Sequence, residues 1–310
     1  MCKSLTVWCL TDYKPGHQSQ LHGLTRALAR RLELDVTWAD AREPLHRRLF
    51  PPQGRPDITL AAGHRTHLRA LLVKWWYGGR AVVIMKPSLP RRLFDLCIIP
   101  EHDGVPPGPR VLCTTGTLND IRPGEEKDPR QGLIMIGGPS HNHDWSDGQM
   151  VAQLEALKRA LPGVRWTLTT SRRTPSTFAG ALAGLLDEGF VYVPPEQTDR
   201  DWLRERYGRS ALVWVSEDSA SMVYEGLTAG ADVGVLEVPR RRDSRVSGGL
   251  ELLLERGSVS TLQQVQSLGH MPAGSGPLCE ADRVAEYLEA WLHKGEPVSA
   301  HESPAGSAEP

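Results

Sequence analysis

The stretch that most constrains this chain runs from Ala211 to Gly230, where a short apolar run turns directly into a capped helix pattern. Ala211–Val215 reads as a buried strand, Ser216–Glu217–Asp218 as a polar turn, and Ser219–Ala229 as a helix. Asp218 suits the N-cap of that helix, and Gly230 stands just past its end. A second apolar strand follows, Asp232–Val238. A helix start carries unsatisfied N–H groups and partial positive charge, which suits a phosphate, and Ser219 and Ser221 lie in its first turn. Glu225 sits two turns inward with its side chain leaning back toward that end. A carboxylate there would accept hydrogen bonds from ribose hydroxyls. The same residues also fit an ordinary capped helix with a solvated glutamate.

The rest of the chain repeats this alternation. Strand patterns at Leu5–Leu10, Leu34–Trp38, Ile58–Ala62, Ala81–Met85, Leu96–Ile99 and Val111–Thr114 are interleaved with a helix carrying Leu21, Leu24 and Leu28 on one face and a helix over His64–Trp75. Ile121–Gln131 is charged and contains Pro123, Gly124 and Pro129, the composition of a linker. The pattern then restarts. Strands are expected at Leu133–Ile136, Arg165–Thr170 and Phe190–Val193, helices at Gln149–Leu161 and from Pro175 to Asp187, and a last helix at Glu280–Leu292. Alternation of this kind implies mostly parallel sheets covered on both faces, with ligands at the carboxyl ends of the strands. The expected organisation is two facing Rossmann-like α/β domains, residues 1–122 and 131–294, followed by a disordered tail over 295–310.

Charge and cysteine content narrow the setting. Residues 1–125 carry 18 Lys/Arg against 11 Asp/Glu, and the remainder 18 against 26. The basic first half suits an anionic partner such as a membrane surface, and equally a solvated surface in an arginine-rich protein. Trp75–Trp76–Tyr77 beside Lys74 and Arg80 reads either as a membrane-facing patch or as core. No apolar run approaches the roughly 20 residues that cross a bilayer. Five scattered cysteines without a C-x-x-C pair favour a reducing cytosol over a disulfide framework. The expected location is the cytoplasm, peripheral to the inner face of a membrane, and no nucleic acid is expected as partner.

Five loops at expected strand ends carry chemistry-bearing residues. Gly137–Gly138 lets backbone approach a ligand closely, or forms a tight turn. Ser171–Arg172–Arg173–Thr174 offers two guanidiniums and two hydroxyls, suited to phosphate oxygens or to solvent. These two loops and the helix with Ser219, Ser221 and Glu225 should converge on one sheet edge. In the first half, Lys14, Gly16, Gly63, Arg65, Glu101 and His102 fall along another rim. His17 sits there at a strand-to-helix turn, where a near-neutral imidazole can take a proton from an acceptor hydroxyl or bond to backbone. His141–Asn142–His143–Asp144 reads as a polar loop, and no metal site and no cofactor are expected.

Several of these stretches, collinear over about residues 5–290, resemble the family of the plant "elongated mitochondria" fission factor and its bacterial relatives. They are Lys14–His17, Ala62–Thr66, Phe94–Asp103, Ile136–Ser140, Thr169–Pro175 and Asp218–Glu225. The resemblance implies a GT-B-type glycosyltransferase-like fold. Gly16–His17 and the Ser219–Glu225 helix are also similar to the enzyme that adds N-acetylglucosamine in peptidoglycan synthesis. That likeness implies His17 near an acceptor and Glu225 on a donor ribose, although Asp12–Tyr13–Lys14–Pro15 replaces the glycine-rich first loop. The expected function is metal-independent transfer of a sugar from a nucleotide-sugar donor to a hydroxyl acceptor, lipid-linked in cell-envelope glycan assembly. A non-catalytic GT-B-like adaptor and an epimerase on the same fold are the alternatives.

Overall fold

The computed structural model describes residues 4–41, 54–124, 126–241 and 245–294. The predicted tail, 295–310, lies outside the described residues. Contacts divide the chain into two compact units: Met1–Asp120 with Glu280–Pro310, and Ile121–Cys279.

The first unit is built from β1 (Leu5–Thr11), α1 (Pro15–Ala29), β2 (Leu34–Asp40), β3 (Ile58–Ala62), α2 (His64–Tyr77), β4 (Arg80–Ile84), β5 (Leu96–Pro100) and β6 (Val111–Thr114). Its strands pair in parallel in the order β2-β1-β3-β4-β5-β6. Alternation along the strands fills both faces. Ile58, Leu60 and Ala62 enter one core with Val7, Cys9, Leu21, Leu24 and Leu28. Ala61 enters the other with Leu10, Ala70, Val83 and Phe94. The strand order reverses direction between β1 and β3, the place where a doubly wound sheet opens a crevice for ligands.

The second unit contains β7 (Asp128–Ile136), α3 (Asp147–Ala160), β8 (Arg165–Thr170), α4 (Thr177–Ala181), β9 (Phe190–Val193), α5 (Arg200–Arg209), β10 (Ser210–Ser216), α6 (Ala220–Ala229), β11 (Asp232–Leu236), α7 (Arg245–Glu255), β12 (Val259–Thr261) and α8 (Leu262–Leu268). Its sheet is also fully parallel, ordered β9-β8-β7-β10-β11-β12. This is two βαβαβ halves joined at β7 and β10, so the reversal falls between those two strands. The two sheets are separate, as expected from the restarted pattern.

The helix expected from Pro175 to Asp187 is only the short α4, Thr177–Ala181, and three further features differ from the sequence reading. β7 begins at Asp128, so the end of the expected linker is strand; Pro129 is tolerated because it stands at the strand's start. Helix α5 was not foreseen. Its cap is plain, since the Asp199 side chain accepts from Trp202 N–H at 2.8 Å, but its apolar residues are scattered among six charged ones. The third is the last helix, α9 (Glu280–Lys294), which the sequence reading placed in the second unit. It packs on α1 instead. Val284, Leu288 and Trp291, one stripe at helical spacing, join the core of Leu21, Leu24 and Leu28. Thr115 N–H donates to Glu280 at 2.9 Å, and Arg80 donates to the Trp291 carbonyl at 2.8 Å while lying over its ring.

Because this stripe completes the first unit's core, Leu288→Ala should destabilise that unit by about 2–5 kcal/mol. Hydrogen exchange checks the location: protection should fall in α1 and β1 and stay unchanged in α3.

Candidate functional site

In the second unit the three loops expected to converge do so, around a carboxylate. The Asp218 side chain is fully buried. It accepts from Gly138 N–H at 2.9 Å, from the Ser216 hydroxyl at 2.7 Å and from Arg173 Nη2 at 2.8 Å. Asp218 therefore does not cap the following helix. Ser219 is the residue at the cap position, and α6 begins at Ala220. Gly137 N–H donates to Ser216 Oγ at 2.7 Å, and the Ser171 and Thr174 hydroxyls both donate to the Gly137 carbonyl. Arg173 Nη1 also donates to the Gly138 carbonyl at 3.0 Å.

The glycines are needed for this packing. A Cβ on Gly137 would stand 2.1 Å from Asp218 Oδ2, and one on Gly138 2.6 Å from the Arg173 backbone. The close approach that Gly137 and Gly138 permit is thus to protein, and their N–H groups are already used. Arg172 is exposed, and among the described residues its side chain has no partner. Ser221 is exposed in the first turn of α6, whereas Ser219 is buried. This leaves Arg172, Ser221 and the start of α6 as the outward-facing part of the rim.

Glu225 is buried, and its partners come from the unforeseen α5. Arg200 Nη1 lies 3.0 Å from Oε1, and the Tyr207 hydroxyl donates to Oε2 at 3.3 Å. Burial, then the neighbouring Glu225 charge, pushes the Tyr207 hydroxyl well above its ordinary range, so it stays a donor. The sequence reading takes an Asp-x-Asp metal clamp to be absent, yet Asp199–Arg200–Asp201 has that spacing. Asp199 is spent as the cap of α5, and Asp201 pairs with Arg204.

In the first unit the rim residue His17 gains a partner that the sequence did not announce. Tyr13 turns through the left-handed region at φ 56°. Asp12 Oδ1 accepts from Lys14 N–H at 3.2 Å, and Pro15 opens α1 at its first position. That turn sets His17 Nδ1 2.7 Å from Asp12 Oδ1. The Asp12 side chain is only 2% exposed, His17 19%. Burial works to raise the Asp12 carboxyl, but the hydrogen bonds from His17 and Lys14 outweigh it and leave the group below its ordinary range. With Asp12 ionised, the contact is attractive when Nδ1 carries the hydrogen, which leaves the Nε2 lone pair as base.

Gly63, at φ 97°, backs the pair. A Cβ there would stand 2.6 Å from His17 Nδ1 and 3.0 Å from Asp12 Oδ2. Both residues flank the β1/β3 reversal. Lys14 and Arg65 are exposed beside them. Gly16 has open space around it, so nothing in the backbone requires glycine there. Glu101 and His102 follow β5, two strands from β3, and Glu101's charge is felt at Cys113 on β6.

A sheet pair of this topology, with chemistry-bearing loops at each reversal, defines the class of GT-B-type proteins. The structure is similar to a Listeria monocytogenes protein assigned as a UDP-N-acetylglucosamine 2-epimerase, with TM-score 0.61 and 12% identity over 98% of this chain and 100% of that one. It is also similar to MurG of Acinetobacter baumannii, with TM-score 0.55 and 13% identity over 93% and 100%. A third likeness is to the UDP-GlcNAc 2-epimerase of Neisseria meningitidis, solved with UDP-GlcNAc bound, with TM-score 0.54 and 11% identity over 94% and 100%. No curated protein matches the sequence. The chain belongs to the mitochondrial fission ELM1 family, whose model matches residues 15–292.

The depressed Asp12 carboxyl has a consequence for stability. Its ordinary value is 3.8 and its value in the fold is lower. The folded state is therefore favoured above the ordinary value, and that gain is lost as pH falls through the folded one. Asp12→Asn should lower stability near neutral pH and flatten the acid limb below 3.8 in pH-dependent denaturant unfolding.

Proposed function

We propose that this protein transfers a sugar from a nucleotide-sugar donor, bound by the second unit, to a hydroxyl of an acceptor bound by the first. The observation that carries the reading is the meeting of three loops at the β7/β10 reversal, beside the start of α6. There the diphosphate would lie against the N–H groups at the start of α6, with Ser221 and Arg172 as its polar partners. Glu225 would accept from the ribose, held in place by Arg200 and Tyr207. Arg172 and the helix start would offset the negative charge that the leaving diphosphate takes with the electron pair of the broken C–O bond, without a metal. In the first unit, His17 Nε2 would remove the acceptor's proton, with Asp12 holding the ring and stabilising the imidazolium that forms. Attack by that hydroxyl would invert the sugar. The structural neighbours include an epimerase solved with UDP-GlcNAc bound, which supports the donor class.

A second reading, a non-catalytic adaptor, is favoured by one observation. The N–H groups of Gly137 and Gly138 are spent on Ser216 and Asp218, so the rim offers a ligand fewer donors than its glycines suggest. Calorimetry separates the two. Nucleoside diphosphates should bind the wild type. Glu225→Gln should weaken that binding by about 1.5–3 kcal/mol, the scale of a hydrogen bond to a charged group, while pyrophosphate affinity changes little. An equal loss for both ligands makes Glu225 a support of the helix, and no nucleotide binding at all leaves the adaptor as the better reading.

The first unit's outer surface supports work at an anionic membrane in the cytoplasm, with a lipid-linked acceptor. Leu68, Trp75 and Trp76 are exposed on α2, Trp75 to 81%, and Arg65 is exposed on the same helix. Among the described residues no helix is long and apolar enough to cross a membrane. Vesicles containing acidic lipid should pellet the protein more than neutral ones, and raised salt or the double change Trp75→Ser, Trp76→Ser should release it. Equal pelleting with neutral vesicles would remove the charge contribution.

A further inference from the structure

The first unit holds a second histidine near the start of α2, the helix that follows β3, one that the sequence reading did not single out. His67 is the fourth residue of α2 and is 3% exposed. Its Nδ1 lies 3.2 Å from the backbone N–H of Ser88 and 3.0 Å from Ser88 Oγ. A backbone N–H can only donate, so Nδ1 accepts, and the neutral ring carries its hydrogen on Nε2. Burial, with the charges of His64 and His17, lowers its pKa to about 4, so the ring stays neutral under ordinary conditions. Phe94 meets the ring edge-on, with centroids 6.0 Å apart. Among the described residues nothing accepts from Nε2–H. Nε2 is not among the side-chain nitrogens that are shut off from solvent without a partner, so this fixed, unspent N–H can be reached by a ligand.

The two histidines have opposite settings. His17 Nδ1 meets a carboxylate, a contact that needs the hydrogen on that nitrogen; His67 Nδ1 meets a backbone donor, a contact that needs a lone pair there. Groups whose surroundings separate them in this way divide base and donor roles between them. Apart from Glu101 at the end of β5, the charged groups named on this rim are cationic or already paired. Lys14 and Arg65 are exposed, α2 starts here, and Asp12 is committed to His17.

We propose that His67 is a substrate-binding residue of the first unit, its Nε2–H donating to an anionic phosphate-type oxygen on the molecule whose hydroxyl His17 deprotonates. The assignment rests on the reading of His17 as base and adds to it the chemical class of the acceptor. The contact is a positioning one and transfers no proton.

The test uses the full chain labelled with 15N in histidine, with inorganic phosphate as probe and acetate at matched ionic strength as control. NMR follows the ring nitrogens, and His67 is identified by its absence from the spectrum of His67→Phe. His67 should remain the neutral Nε2–H form from pH 5 to 8, and its Nε2 resonance should shift saturably with phosphate. His67→Phe should weaken phosphate binding about tenfold or more, the scale of a charge-assisted hydrogen bond. His67→Gln, whose amide nitrogen reaches the same place while its oxygen accepts from Ser88, should recover part of it. Absence of a phosphate-dependent shift at His67, or unchanged affinity in a folded His67→Phe, overturns the assignment. Equal saturation by acetate overturns the phosphate class. Should His67→Phe fail to fold by thermal unfolding, the wild-type titration and His67→Gln decide alone. Nucleotide binding by the second unit is read separately by calorimetry, so loss of the transferase reading and loss of this one are distinct results.

Discussion

Much of the second unit's polar edge at the β7/β10 reversal depends on one buried negative charge. Taking the Asp218 carboxylate out of water is costly unless donors surround it, and here they come from three different loops. Gly138 contributes backbone from the end of β7, Arg173 a guanidinium from the end of β8, and Ser216 a hydroxyl from β10 itself. Each donor fixes the position of its own loop. The residue types around Asp218 follow from this, since any side chain on Gly137 would collide with the carboxylate. The same charge explains why the adjacent arginines are not equivalent. Arg173 is part of the framework, and Arg172 projects from it.

The two units solve the same problem with different chemistry. Each is a parallel sheet whose strand order reverses once, and each gathers its polar groups beside that reversal. At β7/β10 the groups are an outward guanidinium, a serine and a helix start. At β1/β3 they are a carboxylate–histidine pair backed by a glycine, with a neutral histidine close by. Both carboxylates are buried and paired, and each orients the cationic or protonatable group beside it.

The elements were largely legible in the sequence, because strand and helix periods are local. Every strand of the first unit, and the turn into α6, stood where alternating apolar runs placed them. What escaped was contact between distant positions. Asp218 looked like a helix cap because an acid before a helix usually is one; its actual partners lie 45 and 80 residues away. Glu225 looked solvated because α5, which covers it, carries too many charges to show an apolar stripe. The Asp12–His17 contact spans only five residues, yet it depends on a left-handed Tyr13, a conformation that tyrosine does not advertise. The GT-B class was readable from collinear motifs, whereas the partners of each motif residue became visible only in three dimensions.

The return of α9 to the first unit makes the second unit an insertion between two parts of the first. A ribosome releases residues 1–120 long before it reaches Val284, Leu288 and Trp291. At roughly 5–20 residues per second, the nascent first sheet waits for seconds with the flank of α1 uncovered. The second unit is continuous in sequence and has all its core residues once Cys279 has emerged. In synthesis, therefore, the unit that begins second is completed first, and the end of the chain closes the fold that its beginning opened.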